Sequence, residues 1–528
     1  MGVADVRFGG ELQSRAGRLY TFDAIECLTS FFIEARVRHD VRGVWVSDYE
    51  SSRLIPVDSA LFIRSARVKS PMGRSLLALA ARGAEPAKLA RYGGDVMRWA
   101  DVVGYIQSQQ VVPTAASHVH SEPINDLPSN GDTIVVGPRE RLTTITAALA
   151  AARSGSHIVV RRGDYHEPTL RISVPLTLEA DSGVRLDGQG ARGLIRVAAD
   201  DVTVRGFTLR NTGASQVEDR AAILVEGSRN CRIDHNRVED AFFAIYLSRV
   251  ADCTVARNDI VGSELPQTIS GNGIHVWQSE RVHLLDNHVT GHRDGIYFEF
   301  VKEGQVRGNL SERSDRYGLH FMFSDDCRYE GNVFRANGAG VAVMYTKRVH
   351  MVGNRFERNW GGSAYGLLLK DIGASEIRDN YFLQNSVGLH LEGSSENRIE
   401  GNEFSENGWA LRVLANAQAN LVTRNAFTAN SFDVGTNSRQ NYSTFRENYW
   451  DRYRGHDLNR DGVGDVPHAP VRLFALVVEQ SPSALILQRS VIVDLLDLAE
   501  RVLPVLTPVT LVDERPLMRR PGAQDSRR

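Results

Sequence analysis

His320 and Met322 alternate along one short stretch, and Met344 follows Met322 by 22 residues. An imidazole and two thioethers are soft donors that suit Cu(I). They can act together only if the chain stacks residues 22 apart over one another. A second group lies near the C-terminus. Asp457, Asn459, Asp461 and Asp465 put oxygen ligands at positions 1, 3, 5 and 9 of a loop with Gly462 at position 6, like the first part of a Ca²⁺ loop. Position 12 is His468, where an EF-hand carries Glu. A Ca²⁺-stapled turn and a plain Asp/Asn/Gly turn both fit this pattern. Cys27 falls beside a helix start, where a thiolate is favoured; a small buried residue is the other reading.

The elements that must position these donors come from a repeat. A Gly followed by an alternating strand recurs at 273–277, 295–300, 318–323, 340–345, 366–371 and 388–393, with a Gly-less copy at 410–415. Asn236, Asn258, Asn287, Asn309, Asn332, Asn354, Asn380, Asn402, Asn425 and Asn448 keep step with it. Most spacings are 22 or 23; two, of 29 and 26, read as loop insertions. This period predicts a mainly β fold, a right-handed parallel β-helix with coils of about 22 residues. Equivalent residues then stack roughly 4.8 Å apart. The Asn reads as structural, at a tight turn, bonding to backbone and to its neighbours in the stack.

Alternation puts Ile274, Ile296, Leu319, Val341, Leu367 and Leu389 inside. One outward column is then Tyr246, His275, Tyr297, His320, Ala342, Leu368, His390 and Arg412. Its neighbour is Ser248, Trp277, Glu299, Met322, Met344, Lys370, Glu392 and Leu414. An exposed stripe of this composition predicts a binding surface. Met322 and Met344 share an ion with His320 in this reading. His275, about two coils or 10 Å from His320, cannot join them. With Trp277, Tyr297 and Glu299 it is assigned to partner binding. Packing against the C-terminal tail is the alternative for the whole stripe.

The 528 residues carry 62 basic and 64 acidic side chains, a net charge of -2, which gives no bulk electrostatic attraction to nucleic acid. No apolar run is long enough to span a membrane. Residues 1–112 lack the repeat and read as a small α+β domain. Strands are expected at 18–22, 44–49 and 60–63, and helices at 23–35 and 72–81. Residues 113–131 read as a polar linker, in which His118 and His120 are either filler or a metal relay. The β-helix spans 132–470, opened by a capping helix at 142–152. Its tail, 471–528, holds an amphipathic helix over 484–503, N-capped by Ser483, and a disordered end from 513. That helix either caps the β-helix or docks on a partner. Cys231 and Cys253, 22 apart, read as a buried stack, with a bridge or metal pair as the alternative.

The strings Arg7-Phe8-Gly9, Tyr20-Thr21-Phe22-Asp23-Ala24-Ile25-Glu26-Cys27, Trp45-Val46-Ser47-Asp48-Tyr49, Ser70-Pro71-Met72-Gly73 and Gly93-Gly94 resemble the NosL family of small copper(I) chaperones. That resemblance makes Met72, at the family's Pro-Met-Gly position, the leading ligand of the first domain, with Cys27. NosL members carry a Cys-Gly-Met motif just before the Arg-Phe string. Met1 stands where its Met should fall, so a late start that omits a leader peptide and one copper-binding Cys is expected. The strings Gly318–Phe323, Gly340–Tyr345, Asn359-Trp360-Gly361 and Ala364–Ile372 resemble NosD, a family of periplasmic β-helix proteins. The opening at 143–167 resembles pectin-lyase-like β-helices. The two resemblances imply a periplasmic fusion of donor and acceptor that handles Cu(I) for nitrous-oxide reductase. They also imply an ABC transporter and the apo-reductase as partners. Two alternatives stand beside this reading, a polysaccharide-active β-helix enzyme and a metal-free docking scaffold. Against the enzyme, Glu299 and Glu392 lie four coils apart, about 19 Å, too far to work as a pair.

Overall fold

The computed structural model describes residues 7–13, 15, 19–22, 24–37, 41–65, 67–68, 76–81, 90–108, 132–213, 220–262, 270–362, 364–438, 441–488, 490–503 and 511–521. The chain divides into two compact units, Met1–Asn125 with Ser215–Asp219, and Asp126–Ala214 with Arg220–Arg528.

In the first unit, strands Leu19–Phe22, Gly10–Gln13, Gly43–Ser47 and Leu54–Pro56 form an antiparallel sheet in that order. Strands Leu76–Ala80, Ala60–Arg64 and Asp95–Met97 form a second. Helices Ile25–Val37 and Trp99–Ser108 complete the unit. The helix expected over 72–81 is corrected: Leu76–Ala80 is a strand. The run Leu-Leu-Ala-Leu-Ala favours a helix locally, but four of its residues are buried by pairing along Ala60–Arg64. Tertiary burial overrides propensity there. Met1, Met72 and the segment 113–131, with His118 and His120, lie outside the described residues. Cys27 is the third residue of helix Ile25–Val37.

The second unit is a parallel β-helix of three long sheets, with 13, 12 and 14 strands. Helix Ile145–Ala151 lies against its first strands. Thr144 caps that helix by accepting from the Ala147 amide, and Glu167 accepts from the Ile145 and Thr146 amides at 2.7 and 2.8 Å. The inward set holds: Ile274, Ile296, Leu319, Val341, Leu367 and Leu389 are all fully buried. So are Cys231 and Cys253, whose thiols are free.

The recurring Asn forms one ladder. Each side-chain Oδ1 accepts from the backbone N–H of the Asn one coil earlier, and each side-chain amide donates to the next Asn, as Asn332 does to Asn354 at 2.9 Å. The ladder starts at the Phe207 amide and ends on Asp513, whose Oδ2 accepts from the Asn448 amide, the Asn448 side chain and Trp450 Nε1 at 3.0, 3.0 and 3.1 Å. The residue before each Asn, from His235 to Glu447, has φ between 51° and 68°. Gly308, Gly331, Gly353 and Gly401 supply that left-handed turn without strain. Two residues after the Asn, Phe334, Phe356, Phe382, Phe404, Phe427 and Trp450 stack ring on ring inside, with centroids 4.2 to 5.6 Å apart. A second ladder, Asn337, Asn359, Asn385, Asn407 and Asn430, runs along another corner.

Two C-terminal expectations are corrected. The tail is not disordered through 513–521. It closes the last coil, through Asp513 and through Leu517 bridged to Tyr449 and Val463. The single helix expected over 484–503 is broken into a 3₁₀ turn Pro482–Leu487 and helix Val491–Val502, whose N-cap is Ser490, not Ser483. Another helix, Leu473–Gln480, precedes them. It lays Phe474, Ala475 and Val478 against Val387, Trp409 and Phe432 on a side face of the β-helix.

Asn332→Ala is expected to lower the unfolding free energy by about 3 kcal/mol, because it strands the buried Asn309 amide and the Val306 carbonyl. Denaturant titration measures this, and a loss below about 1 kcal/mol would show that the ladder is not a main prop of the fold.

Candidate functional site

The outward face of the 12-stranded sheet carries the donors. Neighbouring strands Asn272–Trp277, Asp294–Glu299, Tyr317–Met322, Ala339–Met344 and Tyr365–Lys370 pair in strict register. His275, Tyr297, His320 and Ala342 fall in one line, and Trp277, Glu299, Met322, Met344 and Lys370 in the next. Met322 and Met344 therefore sit on adjacent coils, and His320 lies two residues from Met322 on the same face.

The stripe is not exposed. Met322, Met344, His320, Tyr297 and Glu299 keep 5%, 1%, 3%, 6% and 1% of their surface. The outward side chains cover one another. Tyr317, Phe323, Tyr345 and Tyr365 pack around Met322, Ala342, Met344 and Leu368. Phe300, Phe323 and Tyr345 stack alongside with centroids 5.0 and 5.2 Å apart. His275 is wedged between Tyr246 and Tyr297, at 4.5 and 4.8 Å. Trp277 is half-buried under Arg249. Two buried thioethers and an imidazole on one face suit a soft, weakly hydrated cation such as Cu(I) better than a hard one.

Two residues beside His320 went unseen in the sequence. Asp294 is fully buried and accepts from Arg316 Nε at 2.8 Å and from a second Arg316 N–H. Burial alone would raise its carboxyl, but the Arg316 charge and hydrogen bonds outweigh burial and hold it well below the usual carboxylate range. Asp294 Oδ2 lies 3.8 Å, and Arg316 Nη2 3.4 Å, from His320 Nδ1. The pair therefore fixes the side of the ring away from Nε2. Strict alternation from Ile296 would turn Asp294 inward. The chain kinks at Gly295 instead, where a Cβ would strike Ser311 Oγ at 2.1 Å. The same close approach accounts for the Gly at 273, 318, 340, 366 and 388, and alternation fails one residue before it.

Farther along, the stripe is structural. Lys370 pairs with Glu392 at 2.7 Å, and Arg412 with Glu479 of the C-terminal helix at 2.6 Å. In the acidic loop, Asp457 accepts from the Asp461 and Gly462 amides, Asn459 from Asp461, Asp461 from Val463, and Asp465 from Leu458. His468, at position 12, pairs with Asp513 through two backbone bonds and packs against Trp450. Among the described residues no group of three or more His, Cys, Asp or Glu is placed to hold a metal ion. The His320, Met322 and Met344 set is of a different kind, mostly thioether.

Fold and face together define a parallel β-helix that presents soft donors stacked coil on coil. A family model described as "Periplasmic copper-binding protein (NosD)" matches residues 258–455, and the NosL model matches residues 7–105. A Pseudomonas aeruginosa protein named "Probable ABC transporter binding protein NosD" is 30% identical over 396 residues, covering 71% of this chain and 89% of the relative. The Stutzerimonas stutzeri protein of the same name is 29% identical over 379 residues, covering 68% and 86%. The chain belongs to the NosD family and carries a NosL portion at its N-terminus. Similar solved structures include the Streptococcus pneumoniae surface adhesin PfbA, with TM-score 0.45, 13% identity and coverage of 58% of this chain and 89% of that one. A Yersinia enterocolitica family 28 exopolygalacturonase has TM-score 0.44, 10% identity and coverage of 59% and 75%.

Burial depresses His390 to about 4, with Arg412 adding to the effect, and its Nδ1 is buried without a partner. The unfolded imidazole takes its proton near pH 6.5. Between about pH 6.5 and 4 the unfolded state therefore binds more protons, and stability falls as pH falls. His390→Phe keeps the contact with Tyr365 and is expected to flatten this acid branch of the stability curve. Equal slopes for variant and parent between pH 6.5 and 4.5 would refute a neutral buried His390.

Proposed function

We propose that this chain is a periplasmic, non-catalytic copper-handling accessory protein for nitrous-oxide reductase maturation. In this reading the NosL portion takes up Cu(I) through Met72, Cys27 and Met1. It passes the ion to His320, Met322 and Met344 on the β-helix, which works with an ABC transporter to supply the apo-reductase. The observation that carries the reading is the register that stacks Met322 on Met344 beside His320. The copper-binding description of the matching family model supports the choice of ion. Glu299, in register with Met322 and buried with it, places a carboxylate one coil from the thioethers. A carboxylate there favours a bound cation.

Transfer needs only small differences in affinity if both sites use two or three soft ligands, because ligands can exchange one at a time without release of free Cu(I). Anaerobic Cu(I) titration of the whole chain tests this. Met322→Ala/Met344→Ala is expected to remove one bound equivalent, and Met72→Ala to weaken a different one. If neither substitution changes the stoichiometry, the ligand assignment fails.

The name of the two relatives, ABC transporter binding protein, supports a transporter as partner. We assign that contact to the C-terminal apolar face, where Ile486, Val491, Leu495 and Val502 stand 90%, 71%, 59% and 69% exposed. Helix Val491–Val502 keeps its other side, Val493 and Leu496, in the apolar cluster that helix Leu473–Gln480 builds, and Glu500 accepts from the Leu473 amide at 3.1 Å. An exposed apolar stripe of this kind fits the surface of a membrane subunit. Ile486→Glu/Leu495→Glu is expected to abolish co-purification with the transporter's membrane subunit while leaving melting temperature and Cu(I) stoichiometry unchanged. Retained co-purification would exclude this face.

A further inference from the structure

One corner of the β-helix carries a cation that its surroundings do not balance. Arg293 and Arg316 hold equivalent places on adjacent coils, and the Arg316 amide donates to the Arg293 carbonyl at 2.8 Å. Backbones one coil apart are about 4.8 Å from each other, so these guanidiniums share one patch. Asp294 lies beside them, but Arg316 occupies both of its oxygens. Among the described residues Arg293 keeps a single side-chain hydrogen bond, Nη2 to Asn272 Oδ1 at 3.2 Å, and its Nε is buried without an acceptor. Burial lowers its affinity for the proton, the nearby Asp294 charge works against that and the Arg316 charge adds to it, yet a guanidinium remains charged in a protein, so one carboxylate faces two cations here.

The rest of the corner also offers donors. Asn272 Oδ1 is taken by Arg293, so its side-chain N–H faces His275 Nδ1 at 3.0 Å. That contact assigns the proton of neutral His275 to Nε2. The spare capacity of the group is then Arg293 Nε–H, its unused Nη–H bonds and His275 Nε2–H. None of these is an acceptor. Tyr317 lies under Arg316 at 5.2 Å, and Tyr297 against His275 at 4.8 Å, which gives the corner flat apolar walls. The Arg316 side chain is 37% exposed, so the corner opens to solvent.

We propose that this corner binds a carboxylate, with Arg293 as its counter-ion and the tyrosine rings against its organic part. A planar guanidinium matches a carboxylate through two parallel N–H bonds. The carboxylate can belong to a simple organic acid or to a uronic acid; the chemistry at Arg293 is the same. The inference does not depend on the copper reading, since none of Arg293, Asn272 and His275 is assigned to that ion.

Calorimetric titration of the whole chain with acetate, galacturonate, galactose and sulfate tests it. Saturable binding of galacturonate, with none for galactose, is the expected result. Acetate binding as well as galacturonate identifies a simple carboxylate site, and markedly weaker acetate identifies a sugar-acid site. Arg293→Gln is expected to weaken binding at least about tenfold. Asn272→Asp supplies the missing counter-charge within the chain, so it is expected to raise the melting temperature and abolish binding. Three results overturn the proposal: no carboxylate saturates the protein, sulfate binds as tightly as the carboxylates, or Asn272→Asp binds like the parent.

Discussion

From Phe207 onward, each coil of the β-helix is tied to the next by an asparagine that accepts from one backbone amide and donates one coil onward. Because each Asn occupies both the donor and the acceptor of its neighbour, the ladder tolerates no slip. A one-residue shift would strand buried amides along its length, and it would turn the inward Ile, Val and Leu out to solvent. The left-handed residue before each Asn sets the turn, and from Asn332 onward the ring two residues after it fills the core. The ladder needs an end as well as a repeat. Asp513, brought back 65 residues from Asn448, provides it. A carboxylate has acceptors and no donor when ionised, so it terminates the row without demanding a further partner.

Strict stacking also produces chemistry. Residues 22 or 23 apart become neighbours, so two methionines form a pair and two arginines form a patch with no other device. The same stacking explains why the outward face is dry. Large side chains repeated on adjacent coils shield one another, as Phe300, Phe323 and Tyr345 do. In such surroundings ionisable groups either find a partner or stay neutral. Asp294 takes the first course with Arg316. His275 and His390 take the second, held by burial at about 3 and about 4. Soft thioethers lose little on leaving water, which makes this face a more natural place for them than for carboxylates.

The two ends of the outward stripe serve different purposes. Toward the C-terminus, Trp409, Phe432 and Arg412 are consumed by contacts with helix Leu473–Gln480. Toward Met322 and His320, aromatic rings surround the donors, and among the described residues no helix of the tail joins their cluster. The tail thus has two tasks, closing the last coil through Asp513 and Leu517, and holding an amphipathic helix with its apolar side outward.

The sequence by itself determined the coil period, the inward set, the role of the recurring Asn and the columns that stack His320, Met322 and Met344. These follow from a repeat of constant length, in which position along the chain maps onto position in space. The strand at Leu76–Ala80 was not legible, because a run of Leu and Ala prefers a helix until a partner strand buries it. Nor was the burial of the stripe, since alternation tells which way a side chain points and not what its neighbours cover. Asp294 was hidden by the kink at Gly295, which breaks alternation where a Cβ would strike Ser311. Asp513 was hidden by distance along the chain. Only the tertiary structure decided these points, because each depends on which side chains come into close contact, and a repeat period fixes the spacing of the coils but not those contacts.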